Sequence, residues 1–166
     1  MPAITPDPTA RRTLLGLAAS GLLATLLPRA RATTPTASTT GPLVEVWKSP
    51  TCGCCHDWIS HIEANGFQTR VHDQGNTDAR ARFGLPVRYG SCHTALIGGY
   101  VIEGHVPARE IRRLLKEKPA ALGLAVPAMP VGSPGMDGPE YNGRKDSFDV
   151  LLISESGRAS VYQSYR

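Results

Sequence analysis

The chain has 166 residues, with 18 Lys and Arg against 14 Asp and Glu, a formal net charge of +4, and four cysteines. The basic excess sits at the start: residues 1–32 hold four of the basic residues and one of the acidic ones, leaving 14 against 13 in the remaining 134 or so. A near-neutral remainder of that length suffices for one hydrophobic core and gives no ground for a nucleic-acid partner.

Residues 1–32 read as an export leader. Arg11-Arg12 precedes an apolar run from Thr13 to Leu27, and Ala30-Arg31-Ala32 has the A-x-A form of a cleavage site. The run is shorter than the roughly 20 apolar residues a spanning helix needs, so no stable membrane insertion is expected once the leader is removed. The alternative is a retained membrane anchor. The paired arginines point to the twin-arginine route and a periplasmic product starting near Thr33. Residues 33–42, rich in Thr and Pro, read as a disordered tether.

Alternating apolar positions predict a first strand over residues 43–49, followed by a turn at Ser49-Pro50-Thr51. A helix is expected from about Cys52 to Asn65, its stripe formed by Cys55, Trp58/Ile59 and Ile62, with Asn65-Gly66 as its stop. Phe67 to His72 reads as a second strand with Phe67, Thr69 and Val71 on one face. A short helix over Thr77–Gly84 and a loop over Pro86–Ser91 come next. His93–Ile97 and Tyr100–Glu103 read as strands joined by a Gly98-Gly99 hairpin turn. Pro107 then starts a helix to about Lys116, with Val106, Ile111, Leu114 and Leu115 as its apolar face. Residues 120–143 are Gly/Pro-rich. Two closing strands, 148–153 and 158–165, are expected to extend the sheet or cover an edge, burying Val150, Leu152 and Val161.

Chemistry concentrates in Cys52-Gly53-Cys54-Cys55-His56, at the strand-to-helix turn. Cys52 caps the helix and Cys55 lies about one turn on, so their sulfurs can reach bonding distance. The unpaired N–H groups of the helix start favour thiolate, which serves as nucleophile and as metal ligand alike. Cys54 separates the two uses. A third thiol would scramble a simple dithiol exchange, whereas three thiolates with the nearby imidazole of His56 form a soft site suited to Cu(I) and also to Zn(II). Plain structural disulfides are a further reading, since an oxidising compartment pairs cysteines.

The order β–α–β, short helix, β-hairpin, α resembles a thioredoxin-like α/β domain. Val44-Glu45-Val46-Trp47-Lys48-Ser49-Pro50-Thr51-Cys52-Gly53-Cys54-Cys55 matches a glutaredoxin-type entry, and the hairpin at Gly98-Gly99 matches its later half. Together, Cys52-x-Cys54-Cys55-His56, Cys92-His93, Gly104-His105-Val106-Pro107 and Met129-Pro130-x-Gly132-Ser133-Pro134-Gly135-Met136 resemble the CopG-like family of periplasmic copper-resistance and metal-binding proteins, over roughly 43–140. The expected organisation is a core over 43–118 and a Met/Pro/Gly loop with two C-terminal strands packed on it over 119–166. The resemblance implies a role in copper tolerance, by sequestration, transfer or redox conversion, alongside other periplasmic copper-handling proteins.

The glutaredoxin alignment places Cys92-His93-Thr94 where such folds keep a cis-proline facing the cysteines. Two donors there would stand opposite Cys52 and Cys55. His105, after the fourth strand, could close the site or merely cap the next helix. Met129 and Met136 flank a rigid loop that could fold over the thiols as a lid, their thioethers suiting Cu(I), or they could fill the core. His61 and His72 are expected to be solvated. The expected ligand set is therefore Cys52, Cys54, Cys55, Cys92, His93 and His105, with His56, Met129 and Met136 as further candidates. Copper, as Cu(I), is the expected ion and zinc the alternative. A thiol–disulfide oxidoreductase using Cys52 and Cys55 is the rival function, and a zinc-stabilised binding module the third.

Overall fold

The computed structural model describes residues 41–166; the leader and most of the tether lie outside the described residues. Strand β1 (Leu43–Lys48) buries Val44 and Val46 completely, as the alternation requires. Helix α1 (Gly53–Ala64) starts at Cys52, whose extended backbone makes it the N-cap. Cys55, Trp58, Ile59 and Ile62 fall at intervals of three and four, so all four reach the core. Full burial of such side chains stabilises the fold by about 1.5–3 kcal/mol each. Gly66, at φ +79°, ends the helix in a conformation that glycine adopts at little cost.

Strand β2 (Gln68–His72) runs parallel to β1, from Leu43 opposite Gln68 to Trp47 opposite His72. It is an edge strand, and the expected apolar face is only partly realised: Phe67 is buried just before it, while Val71 is exposed. Helix α2 (Thr77–Arg82) and a 3₁₀ turn at Val87–Tyr89 lead to β3 (His93–Ile97) and β4 (Tyr100–Glu103). Gly98 and Gly99 both have positive φ, which matches the right-handed twist of the flanking strands in a two-residue turn. Helix α3 (Ala108–Glu117) follows Pro107 and buries Ile111 and Leu114.

The C-terminal part holds three strands rather than two. Strand β5 (Gly123–Ala125) runs parallel to β4 and antiparallel to β6 (Phe148–Ile153), which pairs with β7 (Ala159–Tyr165). Three residues, Gly-Leu-Ala, carry no alternation, so β5 is invisible as a pattern. Gly123 allows the close backbone approach, since a Cβ there would overlap the Val101 carbonyl. The result is one seven-stranded sheet in the order β2-β1-β3-β4-β5-β6-β7. Its first half is the thioredoxin-like β–α–β and hairpin arrangement, extended by β5–β7.

The main core joins α1 and α3 to the sheet through Trp58, Ile62, Ala95, Ile102, Ile111 and Leu124. A smaller cluster of Leu85, Val101, Ala125 and Ile153 gathers separately. Val150 is fully buried and Leu152 partly so, but Val161 is exposed on β7, contrary to expectation, because β7 is the other sheet edge. The extension is tied to α3 by Tyr165, whose hydroxyl donates to the buried Glu110 carboxylate at 2.9 Å. No helix among the described residues is long and apolar enough to cross a membrane.

Candidate metal centre

Four sulfurs meet where the N-terminus of α1 faces the start of β3. The turn at 49–52 is closed by the Cys52 amide donating to the Ser49 carbonyl, which starts the helix at the cysteine motif. β3 lies antiparallel to β1, with Lys48 opposite His93, so the sheet register itself carries Cys92 to the end of β1 that launches the helix. Cys52 and Cys55 are joined as a disulfide, with their Cα atoms 5.4 Å apart. Cys54 and Cys92 are free thiols. Cys54 Sγ lies 3.7 Å from Cys52 Sγ and 3.8 Å from Cys92 Sγ. Cys55 Sγ is 3.6 Å from the Cys92 carbonyl oxygen.

A second group shares Cys92. Its Sγ is 3.1 Å from His105 Nε2 and 3.4 Å from His93 Nδ1. Within each group, Cys52–Cys54–Cys55–Cys92 and Cys92–His93–His105, the donor atoms all lie within 4.8 Å of one another. Both imidazoles are fully buried. His105 Nδ1 donates to the Pro134 carbonyl at 2.8 Å, which leaves Nε2 bare and directed at Cys92. His93 packs against Trp58 with ring centroids 4.3 Å apart, and its Nε2 is buried without a hydrogen-bond partner. An orphaned buried imidazole nitrogen is costly.

Burial disfavours charge at Cys92, His93 and His105. Burial, then the neighbouring Cys54, pushes the Cys92 thiol up to about 12. Burial also lowers His105, and burial together with the facing His105 lowers His93 well below the ordinary histidine value. Neutral imidazoles are ready donors, but the Cys92 thiol must release its proton to solvent before its sulfur can bind an ion. All four sulfurs become available as ligands only after two-electron reduction of the disulfide.

The Gly/Pro-rich loop covers this centre. Gly135, at φ +82°, lies so close to α1 that a Cβ would sit 2.6 Å from the Cys54 carbonyl oxygen and 2.7 Å from the Trp58 amide nitrogen. The loop is held shut by internal bonds: Gly132 donates to the Met136 carbonyl at 2.7 Å and Val131 to Asp146 at 3.0 Å. Its two methionines differ in setting. Met136 is buried and accepts the Tyr141 hydroxyl at 3.4 Å, and Met129 is about half exposed. His56 is exposed on α1 and belongs to neither donor group.

Two other histidines depart from the solvated state expected of them. His61 Nε2 accepts the Ala108 amide at 3.2 Å, satisfying an unpaired donor at the start of α3. His72 stacks on Trp47 with centroids 4.7 Å apart. Sequence reasoning also missed the groups that support the centre. Pro134 acts through its backbone, and Glu103 and Arg80 are ordinary strand and helix residues whose spacing signals nothing.

The comparisons accord with this geometry. A family model described as a protein of unknown function, DUF411, matches residues 89–136, which include Cys92, His93, His105 and the covering loop. Among curated proteins there is no match. Two solved structures, described as copper resistance protein CopG in form 2 and form 1, are each 44% identical to this chain. They superpose with TM-scores of 0.70 and 0.69, over 76% and 75% of this chain and 99% and 98% of theirs. At that identity and coverage, a thioredoxin-like core carrying a cluster of cysteines and histidines able to hold a metal ion places the chain in the CopG copper-resistance protein family.

Proposed function

We propose that the protein binds copper as Cu(I) through Cys52, Cys54, Cys55, Cys92, His93 and His105, and that it serves copper tolerance in the periplasm after export by the twin-arginine route. The observation that carries the reading is Cys92, a single sulfur shared by a thiol group and a buried imidazole group. Soft thiolates beside neutral imidazoles suit Cu(I), and both imidazoles are fully buried. The copper-resistance description of the matched structures points the same way. Copper here is cargo or substrate.

The Cys52–Cys55 disulfide supports a second reading, a thiol–disulfide oxidoreductase. The two can coexist. Closing the disulfide releases two electrons and two protons, enough to convert two Cu(II) to two Cu(I).

The test is a titration of the reduced chain, starting at Thr33, with Cu(I) against a competing chelator, with a parallel insulin-reduction assay. Submicromolar Cu(I) affinity with thiolate-to-metal absorption is expected. Insulin reduction without Cu(I) retention would overturn the copper reading in favour of the exchange enzyme. A thermal stability lost to a chelator and restored by zinc alone would favour a zinc staple.

A further inference from the structure

Beneath Cys92 lies a buried ionic network that no ligand role explains. Glu103, the last residue of β4, has no solvent exposure. Its Oε1 accepts the Ser91 amide at 2.7 Å and Arg80 Nε at 2.9 Å, with Arg80 Nη2 also 2.7 Å away. Its Oε2 accepts the Thr94 hydroxyl at 2.6 Å. Arg80 Nη2 also donates to the Ser91 carbonyl at 2.6 Å, where Asn76 Nδ2 arrives at 3.1 Å. Both backbone polar groups of Ser91 are thus held from α2 and β4, and Thr94 is held from the same carboxylate. Cys92 and His93 are the two residues between these fixed points.

The packing leaves no slack. A Cβ on Gly104 would sit 2.5 Å from Ser91 Oγ and from the Val126 carbonyl, so the segment lies flush against the end of β4. Gly104 itself donates to the His93 carbonyl at 3.0 Å. Burying a carboxylate is expensive unless several donors meet it, and a hydrophobic pair of similar volume often serves stability as well. What an apolar pair could not do is grip both sides of one peptide.

We infer that Glu103 and Arg80 are positioning residues, which clamp the Ser91–Thr94 segment so that the Cys92 sulfur is presented to Cys54 and His105. The inference rests on Cys92 being a working member of the centre, and deepens the reading of that site. Loss of the clamp frees the segment and lowers the effective concentration of one sulfur at the other, a quantity that depends steeply on placement.

The experiment measures that quantity without metal. In a Cys52→Ser/Cys55→Ser background the remaining cysteines are Cys54 and Cys92. Oxidised glutathione converts the two thiols into a disulfide and yields two reduced glutathione molecules, and the equilibrium gives their effective molarity. Glu103→Gln and Arg80→Lys are each expected to lower it by about tenfold. Glu110→Gln is the control, because Glu110 is an equally buried glutamate bonded to Tyr165 and remote from Ser91 in the bond pattern. It should leave the value unchanged while lowering the melting temperature.

Equal effective molarities in parent and clamp variants would overturn the inference, as would an equal fall in the control. Arg80→Ala, at the surface end of the network, serves if the Glu103 variant does not fold. A parallel Cu(I) titration of the four-cysteine chain separates the two readings. A lowered effective molarity in a chain that holds no copper would sustain the clamp and sink only the copper function.

Discussion

Cys54 and Cys92 bring their sulfurs to 3.8 Å across 38 positions of sequence, and neither is engaged in a disulfide. Each closes a different gap. Cys54 links the dithiol pair to the rest of the centre, and Cys92 links the sulfurs to the imidazoles. Cys54→Ala and Cys92→Ser are therefore expected to weaken Cu(I) binding by about 10–100-fold or more while the fold is kept. Cys92→Ser should be the more severe, since it empties a place in both donor groups. Chelator competition with circular dichroism checks both. An exchange enzyme would instead keep insulin reduction in both variants and lose it in Cys52→Ser.

Redox state should control capacity. With Cys52 and Cys55 joined, two of the four thiols cannot become thiolate ligands. Cu(I) held per chain is expected to fall by about half in the oxidised protein and to recover with reductant. Metal analysis after desalting, on samples with counted free thiols, decides it. Equal loading in both states would mean that this pair takes no part.

His61 makes stability depend on pH. Burial lowers its pKa below the ordinary value of 6.5, and its Nε2 must be unprotonated to accept the Ala108 amide. Because the folded value is depressed for a base, the contribution is fully present above pH 6.5. It is lost progressively as the pH falls below that value towards the folded pKa. His61→Ala should cost ~1 kcal/mol at pH 7.5 and less at pH 5. Urea unfolding of both proteins at the two pH values is the measurement, and a pH-independent difference would refute the assignment.

Gly135→Ala tests the covering loop. The added methyl meets the Cys54 carbonyl and the Trp58 amide at a positive φ, so destabilisation of about 1–3 kcal/mol is expected. Displacing the loop also takes the Pro134 carbonyl from His105 and frees the imidazole to turn. Cu(I) affinity should fall with the melting temperature. A variant with native stability and affinity would show that the loop does not bear on α1 as described.

Much of the core could be read from residue order. The stripe of Cys55, Trp58, Ile59 and Ile62 and the Gly98-Gly99 turn are local signals, and each predicts one element. The three-residue β5 was not readable, because its pairing with Val101 and Ile153 is non-local. The centre divides in the same way. Cys52, Cys54 and Cys55 announce themselves by spacing, and family resemblance brought Cys92, His93 and His105 into view. The bonds that orient them lie with the Pro134 carbonyl, Arg80 and Glu103, groups that any sequence contains in other uses. Exposure misled the expectation for His61 and for Val161, where an acceptor role and a sheet margin decided the outcome.

The insertion of β5 beside β4 has a consequence for how the molecule could be shortened. Without it, the strand that delivers Glu103 and His105 would form the outer rim of the sheet and lose its bond from Val126. A fragment trimmed to residues 43–118 would thus retain every thiol and still lack the Val126 amide that braces Glu103 and the Pro134 carbonyl that orients His105. Here the appendage and the reactive centre are one mechanical unit.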